Sequence, residues 1–79
     1  VLNETNLPSI KALRTFVAVA DNMSFSKAAQ ELFVSQGAVS KNISALEKQL
    51  GQPLFNRRLN GIELTSAGEQ YLPKIVEAL

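Results

Sequence analysis

A mainly α fold, with three helices leading into a two-stranded hairpin and a fourth helix behind it, follows from three observations on this 79-residue chain. Apolar residues recur at steps of three and four in separate stretches, each opened by a Ser or Thr suited to cap a helix. The period changes after Pro53, where two short runs flank Asn60-Gly61, a strong hairpin signal. Gly51, with Pro53 two residues later, marks the stop that separates the two regimes.

The elements follow in order. Residues 1–7 carry no periodicity and are expected to form a flexible arm. Ser9 caps a first helix whose Ile10, Leu13, Phe16, Val17 and Ala20 make one apolar stripe, ended by Asp21-Asn22-Met23. Ser24 and Ser26 can each cap a second helix, which buries Ala28, Ala29 and Leu32. Phe33-Val34 forms a turn, and Ser35 caps a third helix, residues 35–50, whose core stripe is Val39, Ile43, Leu46 and Leu50. The hairpin covers residues 55–64. Thr65 caps the last helix, in which Pro73 is expected to loosen or kink the backbone. Two short helices at a tight turn, followed by a hairpin, describe a winged helix-turn-helix over residues 8–64, with residues 65–79 beginning a linker helix.

Composition narrows what such a fold does. With neither Cys nor His there is no thiolate or imidazole for a metal site and no nucleophile–base pair. No Gly-rich phosphate loop is present and the carboxylates stand singly, so an enzyme is not expected. The net charge is only +1, but between Ser35 and Gly61 the bases Lys41, Lys48, Arg57 and Arg58 face a single acid, Glu47. A local basic surface on a near-neutral domain suits a polyanion; an ordinary solvated surface is the alternative.

The third helix carries the chemistry of base reading. Its core stripe turns Gln36, Gly37, Ser40, Lys41 and Ser44 outward, and no acid occurs from Ser35 to Ala45. Gln36 can pair bidentately with adenine, Ser40 can donate or accept at several base edges, and Lys41 can reach guanine or a phosphate. Gly37 keeps the helix surface low. The free N–H groups around Ser35 favour a phosphate oxygen. Ser24, Ser26 and Lys27 are candidate backbone contacts, because the start of the second helix abuts the duplex in this docking mode. Arg57, Arg58 and Asn60 on the hairpin are candidates for the adjacent minor groove, with Arg57 favoured; alternatively the two arginines only solubilise an edge strand. A protein-binding winged helix is the competing function, and it requires an exposed apolar patch on the third helix.

Two apolar stripes remain. Leu13, Phe16 and Val17 on the first helix, and Leu72, Ile75, Val76 and Leu79 on the last, are candidates for two-fold pairing of two chains. The alternative folds the last helix back onto its own core.

The ordered motifs Leu13-Arg-Thr-Phe16, Ser24-Phe-Ser-Lys-Ala-Ala29, Ser35-Gln-Gly-Ala-Val-Ser40, Ile43-Ser-Ala-Leu-Glu47, Leu50-Gly51, Pro53-Leu-Phe55, Arg57 and Leu64-Thr-Ser-Ala-Gly68 resemble the LysR-type bacterial transcriptional regulators. Leu7-Pro-Ser-Ile-Lys-Ala-Leu-Arg14 further resembles the subgroup containing β-lactamase and glycine-cleavage regulators. The resemblance implies cytoplasmic, nucleoid-associated binding to double-stranded operator DNA of dyad symmetry, as a homodimer through the linker helix and a tetramer at full length. It implies base contacts from Gln36, Gly37, Ser40 and Lys41 and a wing contact from Arg57. It implies no cofactor in this domain, the small-molecule effector of full-length relatives being bound by a further domain not contained in this chain. Two departures stand out: many relatives have Arg at the position of Asn60, and Pro or Ser at that of Gly37. No membrane-spanning run occurs.

Overall fold

The computed structural model describes residues 8–79; the arm expected over residues 1–7 lies outside the described residues. The elements are α1 (Ile10–Asn22), α2 (Phe25–Leu32), α3 (Gln36–Leu50), β1 (Phe55–Arg58), β2 (Gly61–Leu64) and α4 (Ser66–Ala78). Each helix starts where a hydroxyl satisfies an orphan N–H of the first turn. Ser9 Oγ accepts from Ala12 N at 3.0 Å, Ser24 Oγ from Lys27 N at 3.1 Å, Ser35 Oγ from Ala38 N at 3.1 Å, and Thr65 Oγ1 from Gly68 N at 3.0 Å. Of the two candidate caps for α2, Ser24 takes the role. Ser26 sits inside the first turn, its hydroxyl 3.2 Å from that of Ser24.

The first three helices each end on a left-handed residue: Met23 at φ 47°, Phe33 at φ 57° and Gly51 at φ 73°. Only the last is a glycine, so the α1–α2 connection and the turn of the helix-turn-helix are each made by a side-chain-bearing residue in a conformation that costs about 1–2 kcal/mol. Packing of α1, α2 and α3 against one another holds those turns in place. Phe16, Val19, Val39, Leu46 and Leu54 are fully buried. Phe55 closes the cluster from the wing side, its ring 5.4 Å from Phe16 and 6.1 Å from Phe25.

Two pairs of hydrogen bonds tie the base of the wing to the helices. The Glu47 carboxylate, near the end of α3, accepts from the backbone N–H of Leu54 at 2.7 Å and of Phe55 at 3.4 Å. On the other side, Thr65 N donates to the Leu54 carbonyl at 3.0 Å and Thr65 Oγ1 to the Pro53 carbonyl at 2.6 Å. α4 then passes so near that a Cβ on Gly68 would lie 2.3 Å from the Leu54 oxygen. Only glycine permits that approach.

The structure bears on three expectations. The pairing Arg58↔Gly61 places Leu59-Asn60, not Asn60-Gly61, in the two-residue hairpin loop. A type I′ turn needs positive φ at both loop residues, whereas here positive φ falls only on Gly61, at 135° and already in β2. Second, α4 extends from Ser66 to Ala78 with Pro73 inside it, so the proline does not end the helix. Third, α4 packs against α1 and β2. That packing takes Phe16, 0% exposed, and Ile75, 8% exposed, into the molecule's own core. Neither is available to a second chain. Leu13, Val17 and Leu72 are partly covered, while Val76 and Leu79 stay exposed at 52% and 47%.

Candidate nucleic-acid interface

The buried stripe of α3 determines what the helix shows to solvent. With Val39, Ile43 and Leu46 facing α1 and α2, Gln36, Gly37, Lys41 and Ser44 are exposed and Ser40 is half-buried. None of the large exposed apolar side chains of the described residues lies on this helix. The nearest atom to a Cβ built on Gly37 is Ser35 Oγ at 3.9 Å, so packing does not require the glycine. Its consequence is a low, flat outer surface at the start of α3.

Folding brings most of the remaining candidates together. A cleft of about 440 Å³ runs between the first turn of α2, the first residue of α3 and the hairpin. Its walls carry Ser24, Ser26, Lys27, Gln36, Arg57, Arg58 and Asn60, and no acid lines it. Met23, Phe25, Gly61 and Ile62 complete it. Gly37, Ser40, Lys41 and Ser44 do not line the cleft; they lie further along α3. The cap of α3, Ser35, has its hydroxyl engaged by Ala38 N, so its bond is made within the chain.

The two wing arginines differ. Arg58 donates from Nε to Glu63 Oε1 at 2.8 Å, and its Nη2 pairs with the same carboxylate oxygen. Arg57 instead stands over the Phe25 ring, with its guanidinium carbon 4.5 Å from the ring centroid. Among the described residues it has no acidic partner. The cationic character of the wing is therefore concentrated on Arg57.

Residues that the sequence does not single out also matter. Glu47, the lone acid of the basic segment, is a structural acceptor for the base of the wing. Phe25, placed between two cap-type serines, forms part of the cleft floor. Glu63 answers Arg58 across the hairpin, at a register that becomes readable only once the strands are paired. Among the described residues no His, Cys, Asp or Glu cluster could hold a metal ion.

A helix-turn-helix with a polar, acid-free outer helix, and a wing that brings to the same cleft an arginine without an acidic partner among the described residues, defines the winged-helix class of nucleic-acid-binding regulator. Residues 10–69 match the model for "Bacterial regulatory helix-turn-helix protein, lysR family", and the chain belongs to that family. It is 49% identical over 71 residues to the glycine cleavage system transcriptional activator of Escherichia coli, covering 90% of this chain and 23% of the relative. To the carbapenem-hydrolyzing beta-lactamase transcriptional activator of Enterobacter cloacae it is 49% identical over 70 residues, 89% of this chain and 24% of that one. The fold superposes with a TM-score of 0.85 on the CbnR_DBD–DNA complex, at 37% identity over 89% of this chain and 80% of that chain. The chain thus spans about a quarter of the length of the curated relatives it matches.

Proposed function

We propose that this chain is the sequence-specific, double-stranded-DNA-binding domain of a bacterial LysR-type transcriptional regulator, acting without catalysis at the nucleoid in the cytoplasm. The observation that carries the proposal is the cleft in which Lys27, Gln36 and Arg57 converge from three elements without an intervening acid. In this reading α3 enters the major groove. Gln36, Gly37, Ser40 and Lys41 meet base edges, and Ser24, Ser26, Lys27, Ser35 and Ser44 meet the backbone. The wing lies at the neighbouring minor groove, where Arg57 is the leading contact and Arg58 and Asn60 flank it. The polar exposed face of α3 supports DNA over a protein partner, which would need an apolar patch there.

The exposed Val76 and Leu79, with the half-covered Leu13, Val17 and Leu72, form the surface through which two copies pair, α4 serving as the linker helix. Two copies would read a dyad-symmetric operator, and longer relatives would assemble further and add an effector-binding domain. Selection of bound duplexes from a random library tests the whole reading. The expected result is an enriched half-site that recurs with dyad symmetry, bound with an affinity that falls steeply as salt rises. No enrichment, or a complex insensitive to salt, would overturn it.

A further inference from the structure

Phe25 opens α2 directly after its cap, and its side chain is 7% exposed. One part of the ring meets Phe55 edge-on, at 6.1 Å and 74°, which ties it to the core and to the base of the wing. The Arg57 guanidinium carbon lies over the same ring, 4.5 Å from its centroid. Arg57 belongs to β1, more than thirty residues further along the chain, yet it rests on the helix-turn-helix. Its neighbour Arg58 is paired with Glu63 across the hairpin, whereas Arg57 has no acidic partner among the described residues.

We propose that Phe25 is a positioning residue for DNA binding: it seats the Arg57 guanidinium at the cleft wall and so holds the wing against the first turn of α2. The proposal rests on the reading of Arg57 as a groove contact. Attraction to the ring's π face consumes none of the five N–H donors, which stay available to phosphate or base acceptors. A long side chain held in advance also loses less freedom when the duplex arrives. Phe25 thereby contributes to binding without touching DNA through its ring, and its effect passes entirely through Arg57.

The test is a double-mutant cycle on the 79-residue chain, using a duplex it has selected from a random library, at temperatures where circular dichroism shows every variant folded. Phe25→Leu should weaken binding about two- to five-fold, the range of a partly exposed cation–π contact, and Phe25→Tyr should restore it. In an Arg57→Ala background, Phe25→Leu should have no further effect. Equal losses in both backgrounds would assign Phe25 a purely structural role and overturn the proposal. An unchanged affinity for Arg57→Ala would overturn the groove reading, and the positioning role with it. The unaltered protein gives a check that no variant's folding can confound. Proton NMR should show the Arg57 side-chain resonances displaced upfield by the Phe25 ring current, and undisplaced resonances would overturn the seat itself.

Discussion

Arg57 and Arg58 are adjacent, identical in type, and equally eligible in the sequence for contact with a polyanion. Alternation along β1 sends them to different neighbours: Arg58 to Glu63 on the paired strand, Arg57 to the face of Phe25. The periodicity marks this segment as a strand, but a loop at Asn60-Gly61 would set Arg58 directly opposite Glu63, whereas the loop at Leu59-Asn60 shifts every partner by two residues, sets Arg58 opposite Gly61 and leaves Glu63 a diagonal neighbour. On α3 the residue-scale reading is more direct, because the positions facing out are those left over once Val39, Ile43 and Leu46 are buried. Gln36→Ala should relax base preference at one operator position. Lys27→Ala should weaken binding to all sequences alike and reduce the salt slope by about 1. Binding measured against a panel of single-base operator variants separates the two, and uniform loss in both mutants would remove Gln36 from base readout.

At the scale of elements, the joints between helix and wing matter most. Leu54 is fully buried, and its N–H is satisfied by the carboxylate of Glu47. Glu47→Ala should leave that donor without its acceptor, a loss of about 1–3 kcal/mol, and should speed hydrogen exchange at the Leu54 amide ahead of the amides of α1. Melting curves and exchange spectra of the two proteins check this. Exchange equally fast at both sites would mean that Glu47 supports the whole fold and not the wing joint. The other joint is Gly68. Its replacement by Ala places a methyl against the Leu54 carbonyl, which already accepts from Thr65 N, so α4 must move away from the wing. The expected cost is about 1–3 kcal/mol, read as a lower melting temperature. A Gly68→Ala protein as stable as the parent would show that the approach is not constraining. The helix starts and the Gly51 stop were legible because capping is local chemistry; the two joints were not, because each links residues whose proximity depends on the completed fold.

For the whole molecule, the open question in the sequence was where the stripes of α1 and α4 go. Helix periodicity says that a face is apolar but not which apolar face meets it. Intramolecular packing claims Phe16 and Ile75, leaving Val76 and Leu79 outside. Ile75→Ala should therefore destabilise the single chain, by about 2–4 kcal/mol. The pair Val76→Glu and Leu79→Glu should leave stability within about 0.5 kcal/mol, as surface substitutions do, while abolishing pairing of chains. Sedimentation of the double variant checks the second half: a mass unchanged from that of the parent would exclude these residues from the pairing surface.

The family's ordered motifs, the caps, the acid-free reading helix and the existence of a wing were all determined by the sequence itself. Each rests on residues close together in the chain, where spacing and local hydrogen bonding carry the information. The tertiary structure alone decided which arginine of the wing meets a carboxylate and which an aromatic ring, why residue 68 must be glycine, and how much of the α1–α4 stripe is spent inside the molecule. These depend on distances between segments far apart in sequence, and those distances are set by packing and strand register rather than by any local pattern.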